Sequence, residues 1–148
     1  MTAPAALASL AEVRAFRHPG VIRRYCKDHG ASPAEAQEVF QEMLKWLYLG
    51  SRCPADNEVT ASCVMTPVIL KLDWMWHAFL LFTADYAAFC DRYFGSFLHH
   101  VPKDEADEPA SLEAVREQLE RHYALVYDVL GEQTLLVWYD ECRYTATA

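Results

Sequence analysis

Cationic residues are scarce in this chain: 13 Lys and Arg stand against 21 Asp and Glu, for a net charge of −8. Neutralising phosphate takes clustered Lys and Arg, so this balance argues against a nucleic-acid partner and against docking on an anionic membrane. Glycine is equally sparse, with five in the chain, and no GxGxxG, GxxxxGK[ST] or GxSxG occurs. Nucleotide-binding loops and the serine-hydrolase elbow therefore have no support. The five cysteines, at 26, 53, 63, 90 and 142, are odd in number and form no CxxC. A disulfide framework is not expected of them, and a Cys53–Cys63 bridge across the intervening loop would need an oxidising compartment. A long uncharged apolar run is also missing, because the stretch 64–82 carries Lys71, Asp73 and His77, which a bilayer-spanning helix rarely tolerates near its middle. The opening MTAPAALASLAEVR has no basic start, and Ser9 and Glu12 interrupt its apolar character, so it does not read as a signal peptide. Together these absences predict a soluble, cytoplasmic protein with reduced thiols.

What is present is a core-forming composition: 148 residues, 53% hydrophobic and 13% aromatic. This predicts one all-α domain over residues 1–148, with five to six helices around a central apolar helix at about 66–82. The first helix is expected over Ala5–Phe16, ended by a His18-Pro19-Gly20 turn, and the second over Val21–His29, stopped by Gly30. Ser32-Pro33-Ala34-Glu35 reads as a capping box with proline at the first helical position. The helix it opens places Ala36, Val39, Phe40, Met43, Leu44 and Leu47 on one face, and Gly50 is expected to end it. Residues 51–65 read as a loop. Thr66-Pro67 repeats the cap-plus-proline start and opens the central helix, apolar nearly all round and so expected to be buried. Thr83 is expected to cap Ala84–Phe94, which Gly95 ends. The acidic stretch 103–110 reads as an exposed loop. Ser111 caps a helix to Leu130 whose core face is Leu112, Val115, Leu119, Tyr123, Val126 and Leu130. The segment after it is ambiguous, with a short last helix or an irregular packed segment favoured over a lone strand.

Chemistry concentrates between residues 70 and 102. Asp73 and His77 are four apart, share a helix face, and are the only polar residues from Leu72 to Phe82 apart from the indole nitrogens. An Asp accepting from one imidazole nitrogen frees the other to bind a metal or act as a base. Tyr86 and Cys90 repeat the spacing on the next helix, and His99 and His100 follow it. The metal reading takes His77, Cys90, His99 and His100 as candidate ligands of zinc or another divalent ion, supported from behind by Asp73 and Tyr86. The plainer reading makes Asp73–His77 a structural hydrogen bond, Cys90 a small core residue, the adjacent histidines caps for helix carbonyls, and the aromatic series from Trp74 to Phe94 simply core. Cys26-x-x-His29 has a ligand-like spacing as well, but among the basic neighbours Arg23, Arg24 and Lys27.

The strings Leu72-Asp73-Trp74-Met75-Trp76-His77, Tyr86-Ala87-Ala88-Phe89-Cys90, Phe94-Gly95 and His99-His100-Val101-Pro102 resemble the glycine-rich domain-containing protein-like family. The resemblance implies that Asp73, His77, Tyr86, Cys90 and the histidine pair stand together at motif positions, and it brings no activity with it. Trp74-Met75 replaces the more polar pair usual there, and a glycine-rich region is absent. Two functions follow as expectations: a helical protein with a metal or catalytic site centred on His77, or a non-enzymatic acidic module that offers Asp104, Glu105, Asp107 and Glu108 to a basic protein partner.

Overall fold

The computed structural model describes residues 7–53, 65–101 and 111–140. Seven helices and no strands occur among them. They are α1 (Leu10–Arg14), α2 (Pro19–His29), α3 (Pro33–Ser51), α4 (Pro67–Leu80), α5 (Thr83–Phe94), α6 (Leu112–Leu130) and α7 (Glu132–Tyr139). The all-α expectation holds. By packing, the chain forms two compact units, one of residues 1–51 and 71–98, the other of residues 52–70 and 99–148.

In the first unit, α1 and α2 pack on α3. The opening helix is shorter than expected. It begins after Ser9, whose hydroxyl accepts from the Glu12 N–H at 3.2 Å while the Glu12 carboxylate accepts from the Ser9 N–H at 3.3 Å. These two residues, read from sequence as breaks in an apolar stretch, are a capping box. Arg14 and Gln41 exchange hydrogen bonds that tie α1 to α3: Arg14 Nε donates to Gln41 Oε1 at 3.3 Å, and Gln41 Nε2 donates to the Arg14 carbonyl at 3.0 Å.

Helix α2 starts at Pro19 and not after the turn, because His18 caps it. The His18 Nδ1 accepts from the Val21 N–H at 3.1 Å, and its Nε2 lies 2.7 Å from Asp85 Oδ2 on α5. With Nδ1 accepting from the Val21 N–H, Nε2 is the ring nitrogen left to donate to Asp85. Gly20 makes room for this ring: a Cβ there would meet His18 Cε1 at 3.1 Å and Phe82 Cε1 at 3.3 Å. We expect His18→Ala to cost about 2 kcal/mol of stability in chemical denaturation, from the lost cap and the lost bond to Asp85. His18→Asn, which restores a capping acceptor, should recover roughly half of it.

Helix α3 opens as expected, with Ser32 Oγ accepting from the Glu35 N–H at 3.2 Å. Gly50 does not end it. The helix runs through to Ser51, and the Leu98 side chain packs where a Cβ would stand, 3.4 Å away. Here the glycine serves a close approach and not a turn. The expected stops at Gly30 and Gly95 are real, with φ of 65° and 72°, left-handed values that glycine adopts without a Cβ clash. Thr83 is not a cap but the first residue of α5, after Phe82.

Helix α4 buries Leu72, Met75, Ala78 and Phe79. It is not buried all round, since Lys71 and His77 are exposed and Leu70 is 38% exposed. Of the aromatic series, Phe79, Tyr86, Phe89 and Phe94 are core, while Trp74, Trp76, Phe82 and Tyr93 are half-buried. Phe16 lies 4.7 Å from Phe89 and 5.8 Å from Phe79 between ring centroids, and Phe79 meets Tyr86 edge-on at 5.0 Å.

In the second unit, α6 and α7 pack together. Ser111 caps α6, its Oγ accepting from the Ala114 N–H at 3.1 Å. The inward face carries Val126 and His122, and Leu112, expected in the core, is 90% exposed. The Tyr139 hydroxyl is 2.6 Å from His122 Nε2 and ties the two helices. The segment after α6 is a short helix, as favoured. The Thr66 hydroxyl donates to the Trp138 carbonyl at 2.8 Å and accepts from the Ile69 N–H at 3.2 Å, so Thr66 caps α4 and holds α7 at once.

Candidate metal centre

The site is laid out by α4. Its 3.6-residue period puts Asp73 and His77 one turn apart on the same face. Asp73 Oδ2 lies 3.7 Å from His77 Nδ1, with the side chains 30% and 54% exposed respectively. That separation is an ion-pair contact and exceeds hydrogen-bonding distance. The expected hydrogen bond between them is therefore not made. Both groups are open enough to water that the pair is not the buried one anticipated from an all-apolar helix.

Asp73, His77 and His100 form a cluster that could hold a metal. One donor atom from each lies within 4.8 Å of the others. Two donors that share an ion at about 2.1 Å with a tetrahedral angle stand roughly 3.4 Å apart. The Asp73–His77 separation is already close to this. Asp73 thus offers an oxygen of its own to the cluster, where the sequence cast it as support behind a histidine.

Cys90 and His99 are not in this group. Cys90 is fully buried. Its sulfur takes a hydrogen bond from the Leu98 backbone and lies in contact with the Tyr86 hydroxyl. Burial pushes the thiol up from its ordinary value. His99 is exposed and His100 half-buried. Tyr86 is buried too. Its hydroxyl donates to the Leu98 carbonyl and accepts from Trp76 Nε1 at 3.1 Å, so it touches the backbone before the histidine pair and, of the ligand candidates, the Cys90 sulfur. The His29 ring stacks on Trp74 at 4.6 Å, with an 8° interplanar angle, and neither His29 nor Cys26 belongs to the cluster. Asp104, Glu105, Asp107 and Glu108, the expected partner surface, lie outside the described residues, as does Cys63.

Sequence reasoning missed His18 and His122. His18 stands directly before Pro19 at a helix start, the position of a cap, and could have been read as one. His122 lies three residues after Leu119 and four before Val126, so the helical period alone placed it inward.

Burial also pushes the Tyr86 hydroxyl up, with the neighbouring Cys90 adding to it. Both groups keep their protons in the folded state where the unfolded chain would release them. Their contribution is complete below about pH 8.5, the ordinary cysteine value, and is lost as pH rises beyond it. Denaturation midpoints should therefore fall between pH 8 and pH 10, and the fall should be shallower in Cys90→Ala.

The described residues define a small all-helical protein. The UCP032817-like family model matches residues 10–128, and the chain belongs to that family. No curated protein and no solved structure matches it. The family match overturns the resemblance to glycine-rich domain-containing proteins. The strings behind that resemblance are of kinds that helix packing produces by itself: Phe94-Gly95 is a helix end, and Tyr86, Phe89 and Cys90 are the buried face of α5. No helix among the described residues is long and apolar enough to cross a membrane.

Proposed function

We propose that the protein binds a divalent first-row metal ion through Asp73, His77 and His100. The observation that carries this reading is the convergence of three potential donors within 4.8 Å of one another. The donors are nitrogen and oxygen, not sulfur, which suits zinc, ferrous iron or manganese better than a thiolate-selected ion. Three protein ligands are the number found in catalytic zinc sites, where a further position is left to water or substrate. A water molecule so placed would be acidified and made a nucleophile near neutral pH. The half-exposed position of His77 leaves that position within reach of solvent.

Elemental analysis of untagged protein tests the reading. Near-stoichiometric metal in the wild type, lost in folded His77→Ala, is the expected result. No metal in the wild type, even after incubation with zinc, iron or manganese salts, would overturn it.

A further inference from the structure

A cleft of about 300 Å³ opens between α1 and α5, lined by Ala8, Glu12, Ala15, Arg92 and Tyr93. All five residues belong to the first unit, and none is in the metal cluster. The volume is at the low end for ligand sites and fits a small molecule. The walls are held from behind. The Ala8 N–H donates to the Tyr93 carbonyl at 3.3 Å, which ties the chain before α1 to the end of α5. The Tyr93 ring packs on Phe89 at 4.9 Å and edge-on against Phe16 at 5.9 Å. The Glu12 carboxylate accepts from the N–H and the hydroxyl of Ser9, at 3.3 and 3.1 Å.

Opposite charges line the cleft from its two helices. On α5, the Arg92 guanidinium lies over the Tyr93 ring, 5.1 Å from its centroid. That contact orients the group without using its N–H donors, and among the described residues no acceptor takes them. On α1, the Glu12 carboxylate keeps acceptor capacity beyond its bonds to Ser9. Inorganic phosphate would meet Glu12 as well as Arg92, at a cost in repulsion. A ligand with one negative and one positive group meets a complement at both. We propose that the cleft binds a free α-amino acid, its carboxylate on Arg92, its ammonium on Glu12 and its side chain against Tyr93 and the two alanines. Glu12, Ala15 and Arg92 are exposed and Ala8 and Tyr93 half-buried, so each charge pair contributes modestly. A dissociation constant of about 1 mM is expected. This site does not rest on the metal reading.

The test is a backbone-amide NMR titration of the full chain with L-alanine at low salt, to about 20 mM, well past the expected midpoint. Acetate, methylamine and inorganic phosphate are run as separate arms. Saturating shifts centred on Ala8, Glu12, Ala15, Arg92 and Tyr93 are the expected result. Each single-charge probe should bind about fivefold more weakly, the scale of one exposed charge pair. Arg92→Gln and Glu12→Gln should each weaken L-alanine binding by a similar factor, and glutamine at position 12 still completes the helix cap. Ala15→Leu, which fills the cleft and leaves both charges in place, should abolish binding. No saturable shift in the wild type would overturn the proposal. So would acetate or phosphate binding as tightly as L-alanine, which would make this a simple anion site. Binding undiminished in both Arg92→Gln and Ala15→Leu would place the ligand elsewhere and overturn it too.

Discussion

Phe79→Ala should lower stability by about 3–5 kcal/mol, the range for truncating a buried aromatic. Phe79 is fully buried, and it is where several elements of the first unit meet. Its ring lies 5.8 Å from Phe16 after α1, 6.5 Å from Phe40 on α3, and 5.0 and 5.3 Å from Tyr86 and Phe89 on α5. No one neighbour can fill the space left behind without leaving another contact, so the cavity cannot collapse cheaply. A loss of this size is a large part of the ~5–15 kcal/mol that holds a typical domain together. Phe79→Leu, which keeps most of the volume, should cost less than half as much. Urea denaturation with a constant slope reads both. A loss below about 1 kcal/mol in Phe79→Ala would show that the ring is not the hub the packing makes it.

The second large effect concerns the metal. His77→Ala and His100→Ala should each weaken zinc binding by at least about 100-fold, at or beyond the upper end for residues that merely orient a ligand. Asp73→Asn keeps an oxygen but loses its charge, and should weaken binding by about tenfold or more. His99→Ala should leave affinity unchanged, since His99 is exposed and outside the cluster. Cys26→Ser is a matching control for sulfur. Isothermal titration of each variant with zinc distinguishes these outcomes. If His99→Ala costs as much as His100→Ala, the wrong histidine has been assigned.

Much of the fold is legible in the residues, because helix ends are local chemistry. Ser32 and Ser111 cap as their spacing implies, and Gly30 and Gly95 stop helices by adopting left-handed φ. Where the reading fails, a tertiary partner decides. Gly50 has all the marks of a stop, yet Leu98 claims its missing side chain. Leu112 has the right period for the core but sits at the first position of α6, 90% exposed. His18 looks like turn punctuation until its ring is seen between Val21 and Asp85.

The site divides in the same way. Asp73 and His77 are adjacent because the helix makes them so, and the sequence is enough to show it. That His100 joins them while His99 does not depends on the path after Gly95, which no periodicity describes. Cys90 is not part of the cluster. Its residue type suggests a ligand, but α5 turns it inward, where it is fully buried and takes a hydrogen bond from the Leu98 backbone.

X-ray absorption at the metal edge of the zinc-loaded protein tests the central claim most directly, since it reads the ligand atoms themselves. One zinc per chain in a shell of nitrogen and oxygen alone, with the outer scattering of two imidazoles, is the expected result. A sulfur in the shell, or zinc that binds without imidazole scattering, would contradict a site built from Asp73, His77 and His100.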